Sequence, residues 1–302
     1  MPGVWGFVVK FIAVGGVLMD FLRQEDKSWL TRPGGSAWNV ARVMAKLGIT
    51  PGFMGAISTD PFGETLLEAT VKAGIRTDLI QRTPAPTSLS FVFQSHPATY
   101  AFRAEGGSDR QLVPSASLCR TAKLVYLGGI SVVRSPLLHQ MVPFVQDLVR
   151  QGIDVAYDPN FRAQEAEGFR SLFWQLLPFL KHLKVSDEDL LGLKTNVQDI
   201  LKFNPDLQVL LTKGSLGAEL HTTEAVFRHA GYTVNVRDTV GAGDASMAGL
   251  LYHLLTFPEA PPSDLLAFAL GCGAAACTQP GAHAPSLSEV HTLMEENACQ
   301  KP

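Results

Sequence analysis

Cysteine is scarce in this sequence, and the few cysteines form no recognisable pattern. The four of them, Cys119, Cys272, Cys277 and Cys299, lack the spacing of a metal site or of a disulfide framework. Cys272 and Cys277 lie in an Ala/Gly-rich helical segment, where cysteine commonly acts as a small core residue. The sequence therefore predicts reduced thiols and a cytoplasmic location.

An excess of positive charge is also lacking. The 302 residues include 25 basic and 28 acidic side chains, which give a formal net charge of -3. This balance provides no electrostatic surface for nucleic acid or for an anionic membrane. We therefore expect neither of them as a partner.

Long uncharged apolar segments are absent. Residues 1–20 are apolar, but Lys10 interrupts them, and they lack the basic start and the small-residue cleavage site of a signal peptide. They also fall short of the roughly 18 uncharged apolar residues that a membrane-spanning helix needs. A buried first strand from Phe11 to Leu18 is the simpler expectation.

Several catalytic and nucleotide-binding motifs are missing as well. No G-x-x-x-x-G-K-[ST] occurs, so a P-loop does not hold ATP, and no G-x-G-x-x-G follows the first strand, which argues against a dinucleotide dehydrogenase. H-E-x-x-H, paired C-x-x-C and G-x-S-x-G are also absent. Zinc hydrolases and serine esterases are therefore excluded.

What is present from residue 120 onward is an alternation of short apolar segments with helical patterns. Near-continuous apolar strands separated by helices predict a parallel sheet covered on both faces. We expect an α/β fold with a doubly wound, mostly parallel sheet, in a single domain over 1–302. Strands are predicted at 123–133, 154–159, 183–186 and 208–214, and helices at 135–152, 167–180, 241–256 and 263–279.

Two earlier segments, 20–32 and 87–105, alternate apolar and polar residues. Alternation predicts a half-exposed antiparallel sheet outside the parallel core, and the second segment resembles a hairpin that turns at His96-Pro97-Ala98. We expect a small antiparallel β-flap, a lid built from about 18–32 and 77–108. It should lie beside the carboxyl ends of the core strands, where ligands of open α/β sheets bind.

The segment "DTVGAGDASMAGLL" (238–251) places two glycines and an alanine directly before a helix. The first amides of a helix lack partners inside it and, with the helix dipole, form an anion site that small residues leave open. Asp244 would be repelled by a resting phosphate, but it is well suited to remove the proton of an attacking hydroxyl. The alternative, that Asp244 only caps the helix, is less favoured beside Asp238 and Thr239. The predicted catalytic residues are Gly241, Ala242, Gly243 and Asp244.

The segments "DTVGAGD" (238–244) and "PGGSAWNVARVMAKLG" (33–48) resemble the two signatures of the ribokinase-like (PfkB-type) carbohydrate kinases. Weaker matches to that family follow in the expected order at 60–80, 157–162, 184–190 and 210–220. The resemblance implies a ribokinase-like fold and transfer of the γ-phosphoryl group of MgATP to a sugar hydroxyl, expected to be a primary CH2OH.

The same resemblance implies which residues contact the sugar. Besides Asp244, the expected substrate-binding residues are Asp20, Gly34, Gly35, Asn39, Arg103, Asn160 and Arg162. Arg103 and Asp109 are expected near the flap and its substrate.

Nucleotide and cation residues are also implied by the resemblance. The expected ATP-binding residues are Ser186, Thr212, Gly214, Gly217, Thr239, Gly241, Gly243 and Gly281. Asp189 stands where the family usually has Glu, and because Asp is one methylene shorter we expect it to reach Mg2+ through water. A monovalent cation, K+, is expected at Asp238, Val240, Ala276 and Ser286.

The substrate stays open at this point. "YDPNFR" (157–162) and "AFRAEGGSDRQL" (101–112) resemble fructokinases and the related aminoimidazole riboside kinases. 2-Keto-3-deoxygluconate kinases, ribokinases and nucleoside kinases are the alternatives, the last because Trp38 offers an aromatic surface. A non-catalytic sugar- or nucleotide-binding regulator on the same fold is a further alternative. The apolar face of the flap predicts a homodimer.

Overall fold

The computed structural model describes residues 9–95, 98–103 and 105–299. The strands are β1 Phe11–Gly15, β2 Leu18–Arg23, β3 Trp29–Gly34, β4 Gly52–Met54, β5 Ala56–Ser58, β6 Gln81–Thr83, β7 Leu89–Ser95, β8 Ala98–Arg103, β9 Leu124–Gly128, β10 Asp154–Asp158, β11 His182–Ser186, β12 Gln208–Thr212, β13 Ala218–His221 and β14 Val226–His229. The helices are α1 Ser36–Lys46, α2 Pro61–Lys72, α3 Leu138–Arg150, α4 Ala166–Leu176, α5 Asp187–Leu193, α6 Val197–Phe203, α7 Ala242–Thr256, α8 Pro262–Ala276 and α9 Leu287–Cys299.

The core is an eight-stranded sheet in the order β14-β13-β12-β11-β10-β9-β1-β4. The pairs from β12 to β4 are parallel, and β13 and β14 add an antiparallel edge. Successive side chains of a strand point to opposite faces, so Phe11 and Ala13 pack on one core layer while Ile12 and Val14 pack on the other. Helices α1, α7 and α8 cover the first layer, and α3 and α4 cover the second. The predicted doubly wound, mostly parallel α/β fold is confirmed.

The first strand is shorter than the predicted Phe11 to Leu18. It ends at Gly15 because the backbone there packs directly against the end of β9: a Cβ on Gly15 would overlap the carbonyl oxygen of Gly128. Leu18 instead begins β2, which belongs to a different sheet. The close approach of two backbones, which apolar patterning does not encode, decides this boundary.

The flap is a separate four-stranded sheet in the order β3-β2-β7-β8. Its outer pairs, β2–β3 and β7–β8, are antiparallel as expected, but its central pair, β2–β7, is parallel. The chain between β3 and β7 contains α1 and α2, and a connection of that length permits a parallel crossover. The predicted turn at His96-Pro97 lies outside the described residues.

None of the described helices combines the length and the apolar character needed to cross a bilayer.

Candidate active site

A cavity of about 300 Å³ lies at the carboxyl ends of the core strands, under the flap. Gly16, Gly129 and Asp158 reach it from the ends of β1, β9 and β10, and Leu18 and Phe102 reach it from the flap. The predicted residues that line it are Asp20, Gly35, Asn39, Asn160, Arg162, Thr239, Val240, Gly241, Gly243 and Asp244. Residues more than 200 positions apart in sequence thus share one wall, as in the bond between Ser36 and Asp244.

Asp244 lies in the first turn of α7 and is 7% exposed. Its Oδ1 accepts a hydrogen bond from the Ser36 hydroxyl at 2.7 Å, and its Oδ2 accepts one from the Asn39 amide at 2.8 Å. Burial raises the pKa of Asp244, and these two donors act in the opposite direction. The N-cap residue of α7 is Gly241. The carboxylate of Asp244 therefore does not cap its own helix, but accepts hydrogen bonds from α1 at the cavity wall.

The turn before α7 is shaped by Gly241. This residue has a left-handed conformation with φ of 80°, and a Cβ would lie 2.8 Å from the Cβ of Ala282. The amide of Ala242 donates to the carbonyl of Thr239 at 3.2 Å. The amides of Gly243 and Asp244 follow in the first turn, where N–H groups have no partner within the helix. This geometry suits an anion at the cavity wall.

Asp20 projects from β2 toward the cavity, and Gly34 on β3 makes room for it. A Cβ on Gly34 would overlap Oδ2 of Asp20, so any larger residue there would displace the carboxylate. Burial raises the pKa of Asp20 to about 6, against the effect of a hydrogen bond from Ser90, and the nearby charge of Asp244 raises it further. Gly34 itself does not line the cavity; it supports a residue that does.

Asp109 also lines the cavity and is 1% exposed. It accepts a hydrogen bond from the Ser88 hydroxyl, and burial raises its pKa. Beside it lies Ser131, whose buried hydroxyl has no hydrogen-bond partner among the described residues. This end of the cavity therefore offers a carboxylate and a free hydroxyl to a ligand.

Lys184, which the motif analysis missed, is a buried cation at the cavity wall. Its Nζ lies 2.8 Å from Oδ2 of Asp158, and a Cβ on Gly243 would lie 3.2 Å from the same Nζ. Burial alone would lower the pKa of Lys184, but the charges of Asp158 and Asp189 raise it. The ammonium group therefore stays charged beside the turn. A lysine in the middle of an apolar strand was the signal available in the sequence.

Arg103 does not reach the cavity. It is the last residue of β8, its side chain is exposed, and one of its Nη atoms donates to the carbonyl of Phe102. Phe102 lines the cavity, and neighbouring side chains of a strand point to opposite faces. Arg103 therefore lies on the outer face of the flap, in contrast to the expected substrate contact.

The other residues predicted to bind the nucleotide do not line the cavity. Ser186 and Thr212 are register partners at the ends of β11 and β12. Gly214 and Gly217 flank the turn from β12 into β13. Gly281 is tied to the turn before α7 because its amide donates to Oδ2 of Asp238 at 2.8 Å.

The carboxylate of Asp189 is already engaged by protein donors. Its Oδ1 accepts from the Phe161 amide and its Oδ2 from the Ser186 amide, each at 2.7 Å, and the residue is 4% exposed. Within the described ranges no group of three His, Cys, Asp or Glu side chains is arranged to hold a metal ion.

Two of the residues expected at a monovalent cation are neighbours, because the Asp238 amide donates to the carbonyl of Cys277, the residue after Ala276, at 3.3 Å. Asp238 accepts from the Val240 amide at 3.0 Å as well as from Gly281, so its carboxylate organises the turn. Ala276 is the last residue of α8. The hydroxyl of Ser286 donates to Glu289 at 2.6 Å, near the start of α9.

Comparison with known proteins assigns the family. The model of the pfkB family carbohydrate kinases matches residues 10–289. The chain belongs to this family. It is therefore a phosphotransferase of the carbohydrate kinase type, which agrees with the two signatures in the sequence.

Individual relatives of this pfkB family member are similar over most of their length. A fructokinase-2 from Solanum habrochaites is 29% identical over 97% of both chains. A fructokinase from Escherichia coli is 28% identical over 90% of this chain and 94% of its own. The crystal structure of a fructokinase with bound ATP from Xylella fastidiosa has a TM-score of 0.88 and 26% identity, covering 97% of this chain and 100% of that one. The pfkB chain is thus a fructokinase-like sugar kinase in sequence and in fold.

Proposed function

We propose that the protein uses MgATP to phosphorylate a primary hydroxyl of a neutral, fructose-like sugar. The observation that carries this proposal is the buried carboxylate of Asp244, at the N-terminus of α7 and in the same cavity as Asp20 and Asn39. Fructokinases of similar sequence, one of them crystallised with ATP, support both the nucleotide and the sugar class.

The site residues divide into a base and stabilising groups. Asp244 accepts the proton of the attacking hydroxyl, while the amides of Gly243 and Asp244 and the ammonium of Lys184 stabilise negative charge on the transferring phosphoryl group. Asn39 donates to Asp244, and its buried Oδ1 has no partner among the described residues, so it is available to accept a hydrogen bond from a sugar hydroxyl. Water exclusion by the flap limits wasteful ATP hydrolysis.

The charges at the sugar end favour a neutral substrate. Asp20 and Asp109 accept hydrogen bonds from hydroxyl groups and repel a carboxylate, which favours fructose over 2-keto-3-deoxygluconate. Trp38 packs in the core, where its indole donates to Thr70 at 2.9 Å. It therefore offers no surface on which a nucleoside base could stack, and Phe102 is the aromatic residue among the described cavity lining.

ATP is proposed to extend from the turn at 241–243 along the ends of β11 and β12. Ser186, Thr212, Gly214 and Gly217 border that path. Asp189 would hold Mg2+ through water, and the metal would supply positive charge that stabilises the phosphates. K+ is proposed at Asp238, Val240, Ala276 and Ser286, beside the turn before α7.

The experiment is a coupled ADP-release assay with MgATP and a panel of acceptors: fructose, ribose, 2-keto-3-deoxygluconate, adenosine and an aminoimidazole riboside. We expect fructose to give the highest kcat/KM and ADP release to require sugar. A clear preference for the sugar acid or for adenosine would overturn the substrate assignment. ATP binding without turnover on any acceptor would support the regulator instead.

A further inference from the structure

The catalytic carboxylate is connected to a buried tyrosine through one serine. Ser36, at the start of α1, has a single hydroxyl proton, and its Oγ lies 2.7 Å from Oδ1 of Asp244 and 3.1 Å from the Oη of Tyr126. A carboxylate can only accept, so the Ser36 proton points to Asp244. The Tyr126 proton must then point to Ser36. The order of donation is Tyr126 to Ser36 to Asp244.

The surroundings hold this chain of hydroxyls in place. Tyr126 is fully buried in β9, and burial raises its pKa, so it stays protonated. Its ring crosses over Gly128 on the same strand, where a Cβ would overlap the tyrosine hydroxyl. Ser36 is 7% exposed and is fixed by the first turn of α1. Buried hydroxyl networks of this kind polarise one another, because low local dielectric strengthens each bond.

Asp244 needs this support because other carboxylates face it. The charged and titratable groups that face Asp244 are Asp20 from β2, Arg42 from α1, Tyr126 from β9, Asp158 from β10, Arg162 after β10 and Lys184 from β11. Burial is the largest cause that favours the protonated form of Asp244, which cannot act as a base, and the charges of Asp20 and Asp158 act in the same direction. The donors on Oδ1 and Oδ2 come first among the groups that favour the ionised form, followed by the charges of Lys184 and Arg162.

We infer that Ser36, itself held by Tyr126, is a positioning residue that keeps Asp244 ionised and oriented for proton removal. The inference rests on the proposed function for its catalytic meaning. Asn39 shares the task on Oδ2 but also faces the sugar, whereas Ser36 and Tyr126 act through Asp244. Their effect should therefore appear in the pH dependence rather than in the sugar KM.

The test compares Ser36→Ala, Tyr126→Phe and the double variant by two measurements. The first is the pH profile of kcat/KM. In Ser36→Ala its acid limb should move upward by about one pH unit, the size expected for losing one hydrogen bond to a charged group, while the high-pH plateau stays within a few-fold of the unmodified protein. Tyr126→Phe should shift the limb less, in the same direction. Ser36→Thr, which keeps the hydroxyl, is the matched control.

The double variant shows whether Tyr126 acts on Asp244 through Ser36 or independently of Ser36. If Tyr126 acts only through Ser36, Tyr126→Phe adds no further shift in the Ser36→Ala background. If the acid limb of the double variant shifts further by as much as Tyr126→Phe shifts it alone, Tyr126 does not act through Ser36. If kcat/KM falls equally at every pH and the acid limb does not move, Ser36 contributes only to packing. That result would overturn the inference.

The second measurement does not depend on turnover. The carboxyl carbon of Asp244, assigned by comparison with Asp244→Asn, is titrated by carbon-13 NMR in the same variants. Its pKa should rise in Ser36→Ala and remain unchanged in Ser36→Thr. A rise without sugar-dependent ADP release would uphold the inference and refute the proposed function. If the pKa of Asp244 is unchanged in Ser36→Ala and the enzyme still releases ADP when sugar is added, the inference is overturned and the proposed function is upheld.

Discussion

At the scale of single residues, the site is built around carboxylates that differ in role because their neighbours differ. Asp244 is held by Ser36 and Asn39, Asp20 by Ser90 on the flap, and Asp158 by Lys184. Each is buried or nearly so, and burial is the first cause of the raised pKa of all three carboxylates. The three aspartates therefore differ in the donors that their carboxylate oxygens receive, and this difference distinguishes their chemistry.

Replacing Asp244 by alanine should remove the base without emptying the cavity. We expect turnover to fall by ~10²–10⁴-fold, the usual range for a general base, with sugar affinity largely kept because Asp20 and Asn39 remain. Steady-state assays and calorimetric sugar titration would measure the two effects. Turnover within a few-fold of the unmodified protein would contradict the role.

Gly34→Ala should act on the sugar site through Asp20. The new Cβ would overlap the Asp20 carboxylate, so we expect the sugar KM to rise by about ten-fold or more, comparable to losing a hydrogen bond to a charged group. In an Asp20→Ala background the same change should add little, because the displaced group is gone. Equal effects in both backgrounds would show that Gly34 matters for another reason.

At the scale of elements, Glu219 joins the strands of the antiparallel edge. Its carboxylate lies 2.9 Å from Lys213 at the end of β12, 2.9 Å from His221 on its own strand and 3.1 Å from Arg228 on β14. The hydrogen bond from Lys213 is the largest cause that lowers the pKa of Glu219 to about 2. A lowered pKa stabilises the fold above the unfolded-state pKa, near 4.5, and this stabilisation is lost as pH falls through the folded value.

Glu219→Gln should therefore lower the free energy of unfolding by about 1 kcal/mol at pH 7, because partly exposed ion pairs contribute little. The difference from the unmodified protein should stay constant down to about pH 5 and shrink between about 4.5 and 2. Urea denaturation at several pH values measures it, with the exposed Glu224→Gln as control. A difference independent of pH down to 2 would contradict the assignment.

At the scale of the whole molecule, the outer face of the flap carries exposed aromatic residues. Trp29 and Phe93 are 39% and 41% exposed, and the ring of Trp29 packs edge-on against those of Phe91 and Phe93. Exposed apolar surface of this kind marks an interaction site. We propose that this face pairs with a second copy of the chain and that Arg103 lies at that interface.

Trp29→Glu should then convert a dimer into a monomer, because a charge would be buried between the two flaps. Sedimentation velocity over a range of concentrations measures the change. Val71→Glu is the control, since Val71 is 61% exposed on α2 and is not part of the flap sheet. A monomer before substitution, or a dimer that survives it, would contradict the interface.

The sequence by itself determined the family and the layered core, and it singled out Asp244 as the proposed base. Apolar strands that alternate with helices predict a parallel sheet buried on both faces. The turn at 241–243 before Asp244 is a local feature that seven consecutive residues are enough to predict. The single domain with an inserted lid remains a prediction of the same kind.

Only the tertiary structure decided the partners of these residues. Lys184 meets Asp158, and Tyr126 meets Ser36, because parallel strands bring their carboxyl ends to one edge, whatever their separation along the chain. Arg103 faces outward because strand register, rather than residue type, sets which face a side chain occupies. Motifs specify local backbone and chemistry, whereas contacts between distant segments depend on how the sheet orders its strands.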